Sequence, residues 1–158
     1  MSVKIVNQIK DTCWDKIEPL GGPFLSFEFF LALEESHSVG AGSGWDPLYF
    51  FESDKSLLFS FIKEHSYGEY IFDWDWANFY HQYNIPYYPK LTSMVPFTSA
   101  TSPHFLGEPS DEVMKSYEEY YQKGAFSSSH FLFLTENELS FFKSFDYILR
   151  DSFQYHLQ

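Results

Sequence analysis

The sequence predicts an α/β (α+β) domain, a mixed sheet flanked by helices. Three observations predict it. Two β-rich runs, Trp45 to Glu52 and Ser56 to Lys63, close around Ser53-Asp54-Lys55 as a hairpin. Stretches of helical period alternate with stretches rich in β-branched and aromatic residues. The resulting order is β, α, α, β-hairpin, α, β, α, β, α, β, which is that of one sheet covered by helices. The chain has 158 residues, the size of a single domain. A chain of that length buries about two-thirds of its unfolded surface, enough for a core of its own.

Val3 to Ile9 alternates and opens as a strand. Asp11 to Ile17 follows as a short helix, with Asp11 or Thr12 at its N-cap. Gly21-Gly22-Pro23 breaks the chain. Ser26 then starts a helix over Phe27 to Glu35, where Phe27, Phe30, Leu31 and Glu34 keep helical spacing. Gly40-Ala41-Gly42-Ser43-Gly44 follows a helix and precedes a strand. A phosphate loop needs the reverse order, so this run is a connector. Asp73 to Tyr83 is helical, with Trp76, Phe79, Tyr80 and Tyr83 along one side. Pro86 and Pro89 bound an extended stretch from Tyr87 to Val95. Pro96 to Pro109 is a loop. Ser110 caps a helix that runs to Lys123 and ends at Gly124. Ser129 to Leu134 is a buried strand, and Thr135-Glu136-Asn137-Glu138 is a capping box for a helix to Phe142. Asp146 to Leu157 alternates to the end of the chain, so the domain is expected to be cut within its last strand.

Composition excludes several classes. The formal charge is -12, which repels phosphate backbones and anionic lipid, so neither nucleic acid nor a membrane surface is an expected partner. The charge suits a basic partner or an amine substrate, or keeps an aromatic-rich surface soluble. Nineteen Phe and twelve Tyr argue against disorder and exceed the needs of a small core. Cys13 is the single cysteine, which fits a reducing, cytoplasmic setting. No apolar run has the length of a membrane span, and residues 1–6 lack a signal-peptide core.

The stretch Lys63 to Trp76 is the densest in chemistry. It sets two Trp, two Tyr and a Phe among one His and four carboxylates. Aromatic faces with a few polar groups suit the wall of a cleft. The plainer alternative is a strand running into a helix with its acids in water. His65, Glu69, Asp73 and His81 match no metal-ligand spacing, so no metal is expected. Ser66 lacks the Gly-x-Ser-x-Gly elbow of a nucleophile. His37, His130 and His156 are expected to be structural.

The element order is similar to the Gcn5-related N-acyltransferase fold. The runs Pro23-Phe24-Leu25-Ser26, Ala32-Leu33-Glu34-Glu35-Ser36 and Ser38-Val39-Gly40 resemble the predicted N-acyltransferases of the peptidoglycan biosynthesis/recognition type. So do Gly44-Trp45, Lys63 to Tyr70, Phe72 to Ala77, Tyr88-Pro89-Lys90-Leu91, Val95-Pro96-Phe97-Thr98 and Phe153-Gln154-Tyr155-His156. The resemblance implies tandem acyltransferase-like domains, of which this chain is the N-terminal, substrate-side one. It implies acyl-CoA, with acetyl-CoA as the simplest donor, and an amine of a cell-wall precursor as acceptor. His65 and Glu69 are then the catalytic candidates. Ser66, Tyr67, Tyr70, Asp73, Trp74, Trp76 and Lys90 are the substrate-binding candidates, with Asp73 and Asp75 holding an ammonium and the Trp rings adding cation–π contact. Thr98, Ser99, Thr101 and Ser102 are the candidates for the cofactor phosphates, on a loop expected to join a strand to a helix. That loop departs from the family pattern, with Ser102 and His104 where a Gly and an Arg are favoured, and without the spaced glycines of a pyrophosphate cradle. The alternative function is a non-catalytic recognition domain or an acidic protein-interaction module, which pairs with a second domain or with itself through the C-terminal strand.

Overall fold

The β-hairpin foreseen in the sequence is the spine of the molecule. The computed structural model describes residues 2–17, 22–71 and 73–151. In it β2 (Trp45–Glu52) and β3 (Ser56–Lys63) pair antiparallel from Trp45 opposite Lys63 to Glu52 opposite Ser56. The short β1 (Lys4–Val6) lines the outer edge of β2. On the far side of β3 two strands sit end to end. β4 (Lys90–Ser93) pairs with residues 61–63, and β5 (Phe105–Gly107) pairs with residues 56–58. β6 (Ser128–Phe131) closes the sheet parallel to β4. Among the described residues the sheet has six strands, with path order β1-β2-β3-β4-β6 and β5 beside β3.

Both faces of the hairpin are apolar, which is why residues 56–61 are an unbroken buried run. Trp45, Tyr49, Phe51, Leu57, Phe59 and Phe61 face α1 (Phe27–Glu35) and form one core with Trp14 and Phe30. Leu48, Phe50 and Leu58 face the other way. They pack with Val113, Met114 and Tyr117 of α3 (Asp111–Lys123) and with Phe142 of α4 (Leu139–Ser144). The remaining helix, α2 (Trp74–Gln82), lies between β3 and β4 in the chain and buries no residue.

Two carboxylates, one half-buried and one buried, tie the outer elements down. Glu34 of α1 accepts from the Ile9 backbone N–H (2.9 Å) and from the Tyr49 hydroxyl (2.7 Å). Glu138 accepts from the His104 N–H (2.7 Å) and from the Thr135 hydroxyl (2.7 Å), and the His104 ring faces the Leu132 carbonyl (2.9 Å). His104 is completely buried, so the departure from the family pattern at this position is an internal anchor.

Several expected elements are different. The helix over Asp11 to Ile17 is two single 3-10 turns, Ile9–Asp11 and Trp14–Lys16, because the Thr12 hydroxyl turns back to the Ile9 carbonyl and holds the chain extended between them. The opening strand stops at Val6. The loop from Pro96 to Pro109 contains β5, and the strand expected to be buried over Ser129 to Leu134 runs over residues 128–131 and is half-buried throughout. The capping box is present, but it opens a 3-10 turn, Glu136–Glu138, that leads into α4. No strand is found in residues 146–151. There α4 ends with Asp146 at φ 61, and the Tyr147 N–H returns to the Phe142 carbonyl (3.3 Å), a left-handed helix stop that breaks the alternation. Residues 152–157 of that expected strand, and Phe72, lie outside the described residues.

Candidate functional site

The register of the sheet creates an electrostatic problem at one end. Lys63 ends β3, and in the antiparallel pairing it stands opposite Lys90 of β4, with Trp45 on its other side. Both lysines are buried. Like charges directly opposite repel, so carboxylates must be supplied from elsewhere. The segment between β3 and α2 supplies them.

Asp73, the residue before α2, answers Lys90. Its Oδ2 lies 2.5 Å from Lys90 Nζ and accepts from Ser66 (3.0 Å) and from the Tyr87 hydroxyl (2.7 Å). Burial alone would raise this carboxyl. The hydrogen bonds from Lys90, Tyr87 and Ser66 outweigh it and hold Asp73 below its ordinary value. Lys90 also donates to Ser66 (3.3 Å), lies 4.0 Å from the Tyr87 ring centroid and 5.1 Å from that of Tyr88. The Tyr88 hydroxyl closes the network on Ser66 at 2.8 Å.

Glu69 answers Lys63 less closely. Lys63 Nζ is 4.0 Å from Glu69 Oε1, 3.3 Å from the Tyr67 carbonyl it donates to, and 3.3 Å from the centroid of the Trp45 ring. Burial pushes the Lys63 ammonium down, against the attraction of Glu69. Burial likewise pushes the Glu69 carboxyl up, to about 7. Glu69 Oε1 and Asp73 Oδ1 are buried and accept no hydrogen bond.

A flap covers this pair. The Trp45 indole N–H donates to the Tyr67 carbonyl (3.0 Å), and the Tyr70 hydroxyl donates to the Phe97 carbonyl (3.2 Å). Phe97 packs on Trp45 with ring centroids 5.1 Å apart. It also presses against Gly68 at φ 78, where a Cβ would meet the Phe97 ring at 2.7 Å. Glycine is required there by both conformation and space.

The sequence candidates therefore separate into groups. Ser66, Asp73 and Lys90 come together with Glu69 in the interior. Tyr67, Tyr70, Trp74 and Trp76 present exposed rings on the outside of the same segment. His65 goes a different way. Its ring sits over Gly44, its Nε2 lies 3.1 Å from the Ser43 carbonyl, its Nδ1 is buried without a partner, and no hydrogen bond joins it to Glu69. Thr98, Ser99, Thr101 and Ser102 lie on a loop that leads into β5, whereas a phosphate cradle opens a helix. The next helix, α3, is capped by its own Ser110 and carries Asp111 and Glu112 in its first turn, which repel phosphate. These residues do not fit a pyrophosphate. Lys63, Trp45, Tyr87 and Tyr88 complete the cluster and were not among the candidates. The signal for Lys63 was available: positions 57, 59, 61 and 63 share one face of a strand whose other members are apolar.

A sequence model of the FemAB-like family, described as peptidoglycan biosynthesis/recognition, matches residues 5–158. The chain belongs to this family. FemAB-like membership implies involvement in peptidoglycan biosynthesis. No curated protein and no solved structure is matched. Among the described residues of this FemAB-like chain, no helix is long and apolar enough to cross a membrane.

Proposed function

We propose that this FemAB-like chain is the acceptor-side domain of an N-acyltransferase, holding an amine of a peptidoglycan precursor for acylation. The observation that carries this reading is Glu69. Burial lifts its carboxyl to about 7, and its Oε1 is sheltered with no hydrogen-bond donor. A general base is most effective when it titrates near the working pH. An ammonium entering beneath the flap would meet this carboxylate, transfer one proton to it and leave a nucleophilic nitrogen. Lys63, held against Trp45, draws the Glu69 carboxyl down against the effect of burial. Asp73 is committed to Lys90, so the acceptor charge falls to Glu69 and to the exposed faces of Tyr67, Tyr70 and Trp74. The acyl donor, acetyl-CoA or another acyl-CoA, is bound outside residues 98–102, in keeping with a second domain for the donor.

Calorimetry tests this. Titrated at several pH values, the chain is expected to bind an amine-bearing muramyl peptide more tightly as the pH rises through about 7 and Glu69 ionises, and not to bind acetyl-CoA. Glu69→Gln should weaken the binding and flatten its pH dependence. Saturable binding of acetyl-CoA without binding of the peptide would overturn the reading. Peptide binding with the same pH dependence in Glu69→Gln would remove Glu69 as the base and favour a purely recognising domain.

A further inference from the structure

A surface helix normally hides one apolar stripe against the core. Helix α2 hides none, although its residues include Trp74, Trp76, Phe79 and Tyr80. Trp76 and Phe79, with Tyr83 just past the helix end, form a row. Their rings are 59%, 48% and 63% exposed, and Phe79 lies 6.5 Å from Trp76 and 4.7 Å from Tyr83. Tyr80, beside this row, is half-buried and packs on Tyr87 at 5.0 Å. Single exposed apolar residues need no explanation, but a contiguous aromatic row marks an interaction surface.

Charge selects the occupant. Residues 64–89 contain four carboxylates and no Lys or Arg. Glu69 and Asp73 are consumed inside, so Glu64 and Asp75 are the exposed formal charges of this stretch. The chain as a whole carries -12. Such a face repels a second copy, nucleic acid and anionic lipid. Exposed indole and phenol rings beside carboxylates attract guanidinium groups, which stack flat on the ring and keep their charge.

We propose that the row Trp76, Phe79 and Tyr83 is a docking surface for an arginine-rich segment of a partner polypeptide, with guanidinium planes on the rings and Asp75 answering the charge. The surface lies outside the Lys63–Glu69 cluster and does not depend on the acyl-transfer reading.

The test is a tryptophan-fluorescence titration of the full chain with an arginine-rich peptide, a lysine-rich peptide of equal length and a glutamate-rich control. The expected result is saturable binding in the order arginine, lysine, glutamate. Trp76→Ala with Tyr83→Ala should weaken the arginine-rich peptide by about tenfold, and Asp75→Asn by about threefold. Both variants should keep the parent circular dichroism, and Glu69→Gln should bind as the parent does. Absence of saturable binding would overturn the proposal. So would equal affinity in the double variant, which would mean diffuse attraction to an acidic protein. Self-association in sedimentation, or binding to phosphatidylcholine vesicles, abolished by the double variant would overturn it in favour of a second copy or a lipid surface.

Discussion

The β2–β3 hairpin and residues 64–88 follow opposite rules. In the hairpin the rings are inside and nearly every side chain between Ser56 and Phe61 is buried. In the following segment several large rings are outside and two of the four carboxylates are inside. Tyr67, Trp76 and Tyr83 are largely exposed, whereas Glu69 and Asp73 are buried against Lys63 and Lys90. The hairpin is built for burial of apolar area, which is non-directional and tolerant. The segment is built on a few directional contacts, which are intolerant of losing one partner. Stability resides in the first region. The second spends aromatic surface and buried charge on something other than stability, and that makes it the functional end of the molecule.

The largest effects should come from breaking one member of each region. Phe59→Ala removes a completely buried ring that packs on Trp14 and Phe30. It should cost about 3–5 kcal/mol in urea unfolding. Asp73→Ala should cost a similar amount, about 3–5 kcal/mol, because it strands Lys90 in the interior. The two regions then part in their rescue. Asp73→Leu with Lys90→Met should recover most of the loss, since no charge remains unpaired. A failure of the double variant to recover would mean that the network around Ser66, Tyr87 and Tyr88 shapes the fold as well as the charge.

An intermediate effect separates anchor from site by pH. Burial alone would raise the Glu138 carboxyl. The hydrogen bonds from His104 and Thr135 outweigh it and hold the group down, to about 2. Below its ordinary value of 4.5 the unfolded chain therefore binds more protons at this position than the folded chain does. Its contribution is complete above about 4.5 and is lost as the pH falls toward 2. Glu138→Gln should flatten stability across that window, as read from unfolding midpoints at its two ends. Glu69 has the opposite sign. Its carboxyl is raised, so ionising it costs stability as the pH climbs from 4.5 to about 7.

Much of the fold was legible because it rests on local rules. Ser26 and Ser110 are N-caps whose hydroxyls accept from Phe29 and Val113, as their positions before apolar periodic runs require. The hairpin needed only two β-rich runs and a short polar break. What was hidden depends on pairing across the sheet. Nothing local says that Lys63 will face Lys90, and the approach of Glu69 and Asp73 follows only from that. Alternation misled over residues 146–151, because the left-handed turn at Asp146 is a property of how α4 ends. His65 and Glu69 are close in sequence, but Gly68 at φ 78 reverses the chain between them.

The smallest effect is the sharpest test of the comparison. Trp76 is a large ring in a helix, and in most helices its removal would open a cavity. Here Trp76 is 59% exposed and the ring beside it, Phe79, is itself exposed. Trp76→Ala should therefore change the unfolding free energy by no more than about 0.5 kcal/mol. Trp14→Ala, at a ring that is 2% exposed and packed 4.4 Å from Phe30, should cost several times more, about 3–5 kcal/mol. The same residue type thus reports opposite roles in the two regions, read by one denaturant titration. A loss above about 1 kcal/mol at Trp76 would show that the aromatic row packs the domain instead of facing a partner.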